Sequence, residues 1–180
     1  MIKLFEQYNE YSKVKEWLDK MNIKNYTIND DLTVDVDGNV GLYKKYPMKN
    51  IPIQFGKVSG DFDCASNYDF TSLKGCPRYV GGYFSCADNR LTSLEGGPEH
   101  VGLFYNCIYN DLTSLVYAPK YVGEQFHCQN NPFPQEVLSI LGTGANGNEV
   151  INKIIINNQE EYGIWNADGS LNKGRWDIFL

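Results

Sequence analysis

The chain repeats itself every 21 or 22 residues, and that period limits its fold more than any other feature. Aligned on Val58, Val80, Val101 and Val122, four copies begin "VSGDFDCASN", "VGGYFSCADN", "VGLFYNCIYN" and "VGEQFHCQNN". Three continue as "YDFTSLKGCP", "RLTSLEGGP" and "DLTSLVYAP". Cysteine recurs at Cys64, Cys86, Cys107 and Cys128, and asparagine three residues after each, at Asn67, Asn89, Asn110 and Asn131. An apolar pair stays in phase as Phe70 with Leu73, Leu91 with Leu94, and Leu112 with Leu115. A period in this range, held through successive units, indicates a solenoid.

Within "YFSCA", Phe84 and Cys86 alternate with Tyr83, Ser85 and Ala87, the period of a strand with one buried face. Such a strand cannot bury its apolar side alone, so the units must stack and share a core. Each unit is expected to give one short strand, a polar turn, an apolar step and an extended return marked by Pro77, Pro98 or Pro119. The asparagine stands where the chain leaves the strand. A buried amide there can pair backbone groups of its own and an adjacent turn.

The cysteines occupy one equivalent position per unit, where stacked neighbours lie about 4.8 Å apart with parallel side chains. That is poor geometry for a disulfide dihedral, and the paired short spacings of a zinc centre are missing. Buried, reduced thiols are expected, and with them a reducing cytoplasm. Net charge is −6, which argues against a phosphate-binding face and so against nucleic acid. No apolar run approaches the roughly 18 residues that cross a membrane. The opening "MIKLFEQYNE" is polar where a signal peptide is apolar, so export is not expected.

Phe84-x-Cys86-x-x-Asn89-x-Leu91 resembles the leucine-rich-repeat core, with phenylalanine and cysteine in two leucine positions. "LTSLEGGP" resembles the short bacterial form of that repeat, whose back is extended rather than helical. The phrases "VDVDGNV", "IPIQFGKVSGDFDC" and "LTSLEGGPEHVG" are similar to small leucine-rich-repeat-like proteins of tailed bacteriophages. The resemblance covers about residues 31–134. It implies an α+β solenoid: a short leucine-rich-repeat-like parallel sheet with an N-terminal helical cap over 1–30 and a C-terminal helical cap over 135–180. It also implies the cytoplasm of an infected bacterium and a host protein as partner, with inhibition of an antiviral-defence or regulatory factor as the purpose.

The ends read as caps on their own pattern. Apolar residues at Leu4, Tyr8, Tyr11, Val14, Leu18 and Met21 recur every three or four positions, predicting an amphipathic helix. Leu32, Val34, Val36, Val40 and Leu42 alternate and predict the first strands. After Pro132 and Pro134, "QEVLSIL" and residues 148–161 predict helices, with Trp165, Leu171, Trp176 and Phe179 folding the tail back.

Reactive constellations are weak. "GTGANG" matches a dinucleotide loop in letters only, because it follows a helical pattern instead of a strand. "DVDGN" at 35–39 lacks two calcium ligands, Thr33 and Lys44 standing at the first and twelfth loop positions; an Asp-Gly turn explains it and "NADGS" at 166–170. His127 and Cys128 are adjacent strand residues and point to opposite faces, so they do not form a nucleophile and base. His100 is placed on the return arm. No catalytic residue, metal ligand or cofactor is assigned.

The exposed face carries the functional expectation. With the cysteines and Phe62, Phe84, Tyr105 and Phe126 inward, Asp61, Tyr83, Phe104 and Gln125 form one outward column. Asp63, Ser85, Asn106 and His127 form the next, and Ile108 with Tyr109 edges them. Aromatic residues on an uncovered sheet mark a protein-binding strip, here on a concave face, and its acidic end fits a partner with a basic patch. The alternative is that the C-terminal tail covers the strip. A virion or assembly role, or ligand binding or catalysis in the caps, are the other readings.

Overall fold

The computed structural model describes residues 2–43 and 48–133. The expected cap over 135–180, with "GTGANG", "NADGS" and the tail aromatics, lies outside them. Helix α1 (Ile2–Met21) leads to an antiparallel pair, β1 (Tyr26–Ile28) and β2 (Thr33–Val36), followed by β3 (Val40–Gly41). The repeats then add β4 (Gln54–Val58) and β5 (Phe62–Asp63), β6 (Tyr79–Val80) and β7 (Phe84–Ser85), β8 (His100–Val101) and β9 (Tyr105–Asn106), and finally β10 (Tyr121–Val122) and β11 (Phe126–His127). Stacking these pairs gives a parallel-sheet β-solenoid of about four turns. One sheet runs β1-β2-β4-β6-β8-β10 and the other β11-β9-β7-β5-β3.

Each turn therefore carries two strands, where the alternation predicted one. The return arm is itself a strand: Lys57, Tyr79, His100 and Tyr121 stand in register, as do Val58, Val80, Val101 and Val122 behind them. His100 thus belongs to the first sheet. Only two residues per turn alternate there, too few for a period of two to show in sequence.

The valine is followed by glycine in three turns for a steric reason. A Cβ on Gly81, Gly102 or Gly123 would overlap the carbonyl oxygen of Ser59, Gly81 or Gly102 in the turn before. At this corner between the sheets, backbone passes over backbone with no room for a side chain.

Between the sheets lies one core. Phe62, Phe84, Tyr105 and Phe126 are in register and buried. Adjacent ring centroids lie 5.8, 4.9 and 5.0 Å apart. Cys64, Cys86, Cys107 and Cys128 line the same interior as free thiols, with Cys76 a fifth. The apolar step closes the third side. Phe70, Leu73, Leu91, Leu94, Leu112 and Leu115 have no exposed surface. Leu94→Ala or Leu115→Ala is expected to lower stability by about 2–5 kcal/mol, the cost of a buried cavity. Urea denaturation checks this, and an unchanged midpoint would show that these leucines do not face the core.

The asparagines bind consecutive turns together. Asn89 Nδ2 donates to the carbonyls of Cys86 at 2.9 Å and of Cys64, one turn earlier, at 3.1 Å. Its Oδ1 accepts from the Asn67 backbone N–H at 2.8 Å. Asn110 and Asn131 repeat the arrangement, each reaching back one turn. These turns leave the strand and so lack ladder partners; the amide supplies them in a place water does not reach. Of these four asparagines, Asn67 alone has an Oδ1 without a partner among the described residues.

The N-terminal cap combines helix and strand. Val14, Leu18 and Met21 are buried, and Trp17 meets Phe55 edge-on with centroids 6.2 Å apart. The expected stripe extended back to Tyr8 and Tyr11, but these are 71% and 43% exposed. Helical spacing sets which residues share a face; it does not set how far the helix overhangs the surface it packs on. Among the described side chains, those of its C-terminal half cover the end of the solenoid, and β1 completes the cap beside it.

Candidate functional site

The outward face of the second sheet follows from the inward one. With Phe62, Phe84, Tyr105 and Phe126 buried, the residues on either side of each point out. Asp63, Ser85, Asn106 and His127 stand in register along this face. Asp61, Tyr83, Phe104 and Gln125 precede the strands and form the second column. The Tyr83 and Phe104 rings stack with centroids 4.9 Å apart and planes 3° from parallel, and His127 meets Phe104 edge-on at 6.3 Å. Tyr83, Phe104, Asn106, Ile108 and His127 are half-buried, Gln125 is exposed, and Tyr109 is 56% exposed. The columns are therefore one surface strip.

Ser85 is the exception. The expectation placed it on the exposed strip, but it is 7% exposed. A short side chain between Asp63 and Asn106 in the adjacent turns does not reach past them, so Ser85 offers a partner almost no surface.

Several strip residues also hold the backbone. Asp61 Oδ1 accepts from the Tyr83 N–H at 3.0 Å, one turn on, as Asn39 Oδ1 accepts from the Asp61 N–H at 2.9 Å. Asp63 Oδ1 and Asn106 Oδ1 accept from N–H groups two residues ahead, those of Ala65 and Ile108. The acidic end is thus built into the turns. Partial burial raises the Tyr83 phenol pKa, and the Asp63 and Asp61 charges raise it further. The phenol stays neutral, an aromatic surface with a donor at its rim.

Tyr109 is held differently. It has φ of 53°, and the equivalent residues Ser66, Asp88 and Asn130 share that left-handed conformation at 54°, 55° and 58°. Aspartate and asparagine tolerate this region; a bulky side chain does so at a cost.

The thiols beside this face are buried and held in the protonated form. Burial pushes the Cys64, Cys86 and Cys107 thiols well above their ordinary value, and Cys128 to about 12. A thiol that stays protonated is a poor nucleophile and metal ligand. His127 turns outward while Cys128 is buried, as the strand alternation requires. Among the described residues, no group of three or more histidine, cysteine, aspartate or glutamate side chains comes together where a metal ion would sit. Nor is any described helix long and apolar enough to cross a membrane.

A second exposed ladder was not expected from sequence. On the first sheet, Tyr79, His100 and Tyr121 stack with centroids 4.6 and 4.4 Å apart, and Lys57 Nζ lies 5.0 Å from the Tyr79 ring centre. Beside them Glu99 pairs with Arg78 at 3.7 Å and Lys120 at 3.4 Å. The signal was present at the repeat's own period, in the residue before each aligned valine. A scan against protein-family models, and searches of curated proteins and of solved structures, gave no match to this chain.

Proposed function

We propose that this protein is a non-catalytic binding module that docks a protein partner through the outward face of its second sheet. The observation that carries the reading is the parallel stack of Tyr83 on Phe104, left half-open to solvent beside Ile108 and the exposed Tyr109. Stacked rings on a rigid sheet lose little freedom when covered, and aromatic residues dominate the energetics of interface centres. Solenoids commonly use such an extended surface for recognition. The buried, protonated thiols support a non-catalytic role.

Asp61 and Asp63 at one end of the strip favour a partner with a basic patch, whose association slows as salt rises. The resemblance to repeat proteins of tailed phages extends the proposal to its setting. The partner is then a host protein in the bacterial cytoplasm, and the effect is inhibition of a defence or regulatory factor. That extension rests on analogy alone.

The test is a pull-down from bacterial lysate with tagged protein, followed by affinity measurement on the protein recovered. A stoichiometric partner is expected, and Tyr83→Ala with Phe104→Ala should weaken its binding on the order of a hundredfold or more while the chain stays folded. Unchanged affinity in the double variant would move the working surface off this sheet.

A further inference from the structure

The outward face of the first sheet carries an unbroken aromatic ladder. Lys57, Tyr79, His100 and Tyr121 stand in register there, one per turn. The rings of Tyr79, His100 and Tyr121 follow one another in adjacent turns, 4.6 and 4.4 Å apart and within 8° and 10° of parallel. The Lys57 ammonium closes the stack over the Tyr79 ring. Tyr79 and Tyr121 remain 37% and 47% exposed, and His100 is half-buried. Because the rings cover one another's faces, they offer solvent their rims, where an aromatic ring carries its partial positive charge and each tyrosine adds a hydroxyl.

Charge reinforces that polarity. Arg78, Glu99 and Lys120 immediately precede the three rings, so with Lys57 the ladder is flanked by three cations and one carboxylate, on a chain of net charge −6. Glu99 reaches Arg78 and Lys120 only at 3.7 and 3.4 Å, and the two basic side chains are 82% and 60% exposed. Exposed pairs of this kind contribute little stability, so both cations can turn to an incoming carboxylate at small cost.

Beside the ladder runs a groove of about 750 Å³, lined by Arg78, Glu99 and Lys120 and by the small residues Cys76, Gly97 and Ala118, which are equivalent in three turns. Asp31 and Thr33 also line it. Asp31 accepts hydrogen bonds from the Thr33 N–H and hydroxyl at 3.0 and 2.7 Å, which places the acidic end at β2 and the basic end at the later turns. From Lys57 to Tyr121 the stack spans about 14 Å, the length of about four extended residues.

We propose that this face binds an extended acidic segment of a partner protein, its carboxylates on Arg78 and Lys120 and its apolar side chains against the rims of Tyr79, His100 and Tyr121. A nucleic acid would meet the same cations, but its charge density would also meet the negative charge of the whole chain. The proposal does not rest on the strip of the second sheet. The two sheets lie on opposite sides of one core, so a chain engaged at both faces would bridge two proteins.

Fluorescence anisotropy of a labelled octapeptide, glutamate alternating with leucine and phenylalanine, reads this on the full chain at low salt. The acidic peptide is expected to bind about tenfold or more tighter than its lysine counterpart. Tyr79→Ala with Tyr121→Ala should weaken it about tenfold or more, with circular dichroism unchanged. Arg78→Glu with Lys120→Glu, at exposed positions, should reverse the preference between the two peptides. Tyr83→Ala with Phe104→Ala should leave the binding as it is, which separates this face from the strip. Equal affinity for both peptides, or for the wild type and both first-sheet variants, overturns the proposal. So does loss of binding in the Tyr83 and Phe104 variant. Tighter binding of an oligo-uridine than of the acidic peptide overturns it in favour of nucleic acid. Self-association in sedimentation that the Arg78 and Lys120 variant abolishes, with no peptide binding, overturns it in favour of a second copy.

Discussion

Raising the pH from 9 to 12 is expected to unfold the protein cooperatively. Thiols released by unfolding return to their ordinary pKa of 9.0, while in the folded chain burial holds Cys128 at about 12 and Cys64, Cys86 and Cys107 well above the ordinary value. The sign follows from proton binding. Above pH 9 the unfolded chain has lost protons that the folded chain still holds, so stability falls as pH rises; below 9 both states are protonated and nothing is lost. Each pH unit is worth about 1.4 kcal/mol per group, so Cys128 alone contributes about 4 kcal/mol across the range. Cys64, Cys86 and Cys107 shift in the same direction and add to that loss, against the 5–15 kcal/mol that holds an ordinary domain folded. Burial also raises the phenol pKa of Tyr105, whose hydroxyl sits near Cys86, Cys107 and Cys76 with no well-formed hydrogen bond. Circular dichroism against pH measures the transition, and Cys107→Ala should shift it upward. A protein still folded at pH 12 would mean that water reaches the thiols.

The second large effect is expected at Asn110. Its amide donates to the carbonyls of Cys86, Cys107 and Ile108 at 3.0, 3.2 and 3.2 Å, and its Oδ1 accepts from the Leu91 N–H at 3.0 Å. Asn110→Ala strands the Leu91 N–H in a dry interior, and leaves the Cys86 carbonyl with the Asn89 amide as its one remaining side-chain donor. An orphaned buried N–H costs about 1–3 kcal/mol, and that is the loss expected here. Asn110→Asp should cost at least as much at neutral pH, since a carboxylate has no donors and its charge would be buried. Asn67→Ala should cost less, because Asn67 Oδ1 has no donor to lose among the described residues. Urea midpoints of the three variants give the order, and equal losses at Asn67 and Asn110 would show that the reach back across turns contributes little.

The stacked core was legible in the sequence because the repeat states it several times in phase. Cys86, Asn89, Leu91 and Leu94 each have equivalents one period away, and all are buried. In the first sheet β2 was legible from the alternation of Val34 and Val36, but β6, β8 and β10 were not, since one valine per turn carries no alternation of its own. The strip was read correctly in direction, because burial of Phe84 settles where Tyr83 points. It was misread at Ser85, where the size of the neighbours decides exposure. The left-handed backbone at Tyr109 and Tyr117, with φ of 53° and 66°, has no signature in the sequence, because tyrosine does not favour that region.

The glycine corner and the reach-back asparagines both refer only to the preceding turn, never to the molecule as a whole. Gly102 requires only the Gly81 carbonyl beneath it, and Asn110 requires only groups in turns 86–91 and its own. The number of turns is accordingly a free variable. Duplicating or excising one 21-residue unit in the middle would join surfaces that already match, changing the length by about 4.8 Å. The one extra residue between Asn67 and Phe70, absorbed without loss of register between Phe62 and Phe84, shows that the unit itself stretches. A lineage carrying this architecture can adjust its reach by recombination between its own repeats, with the N-terminal cap unaltered.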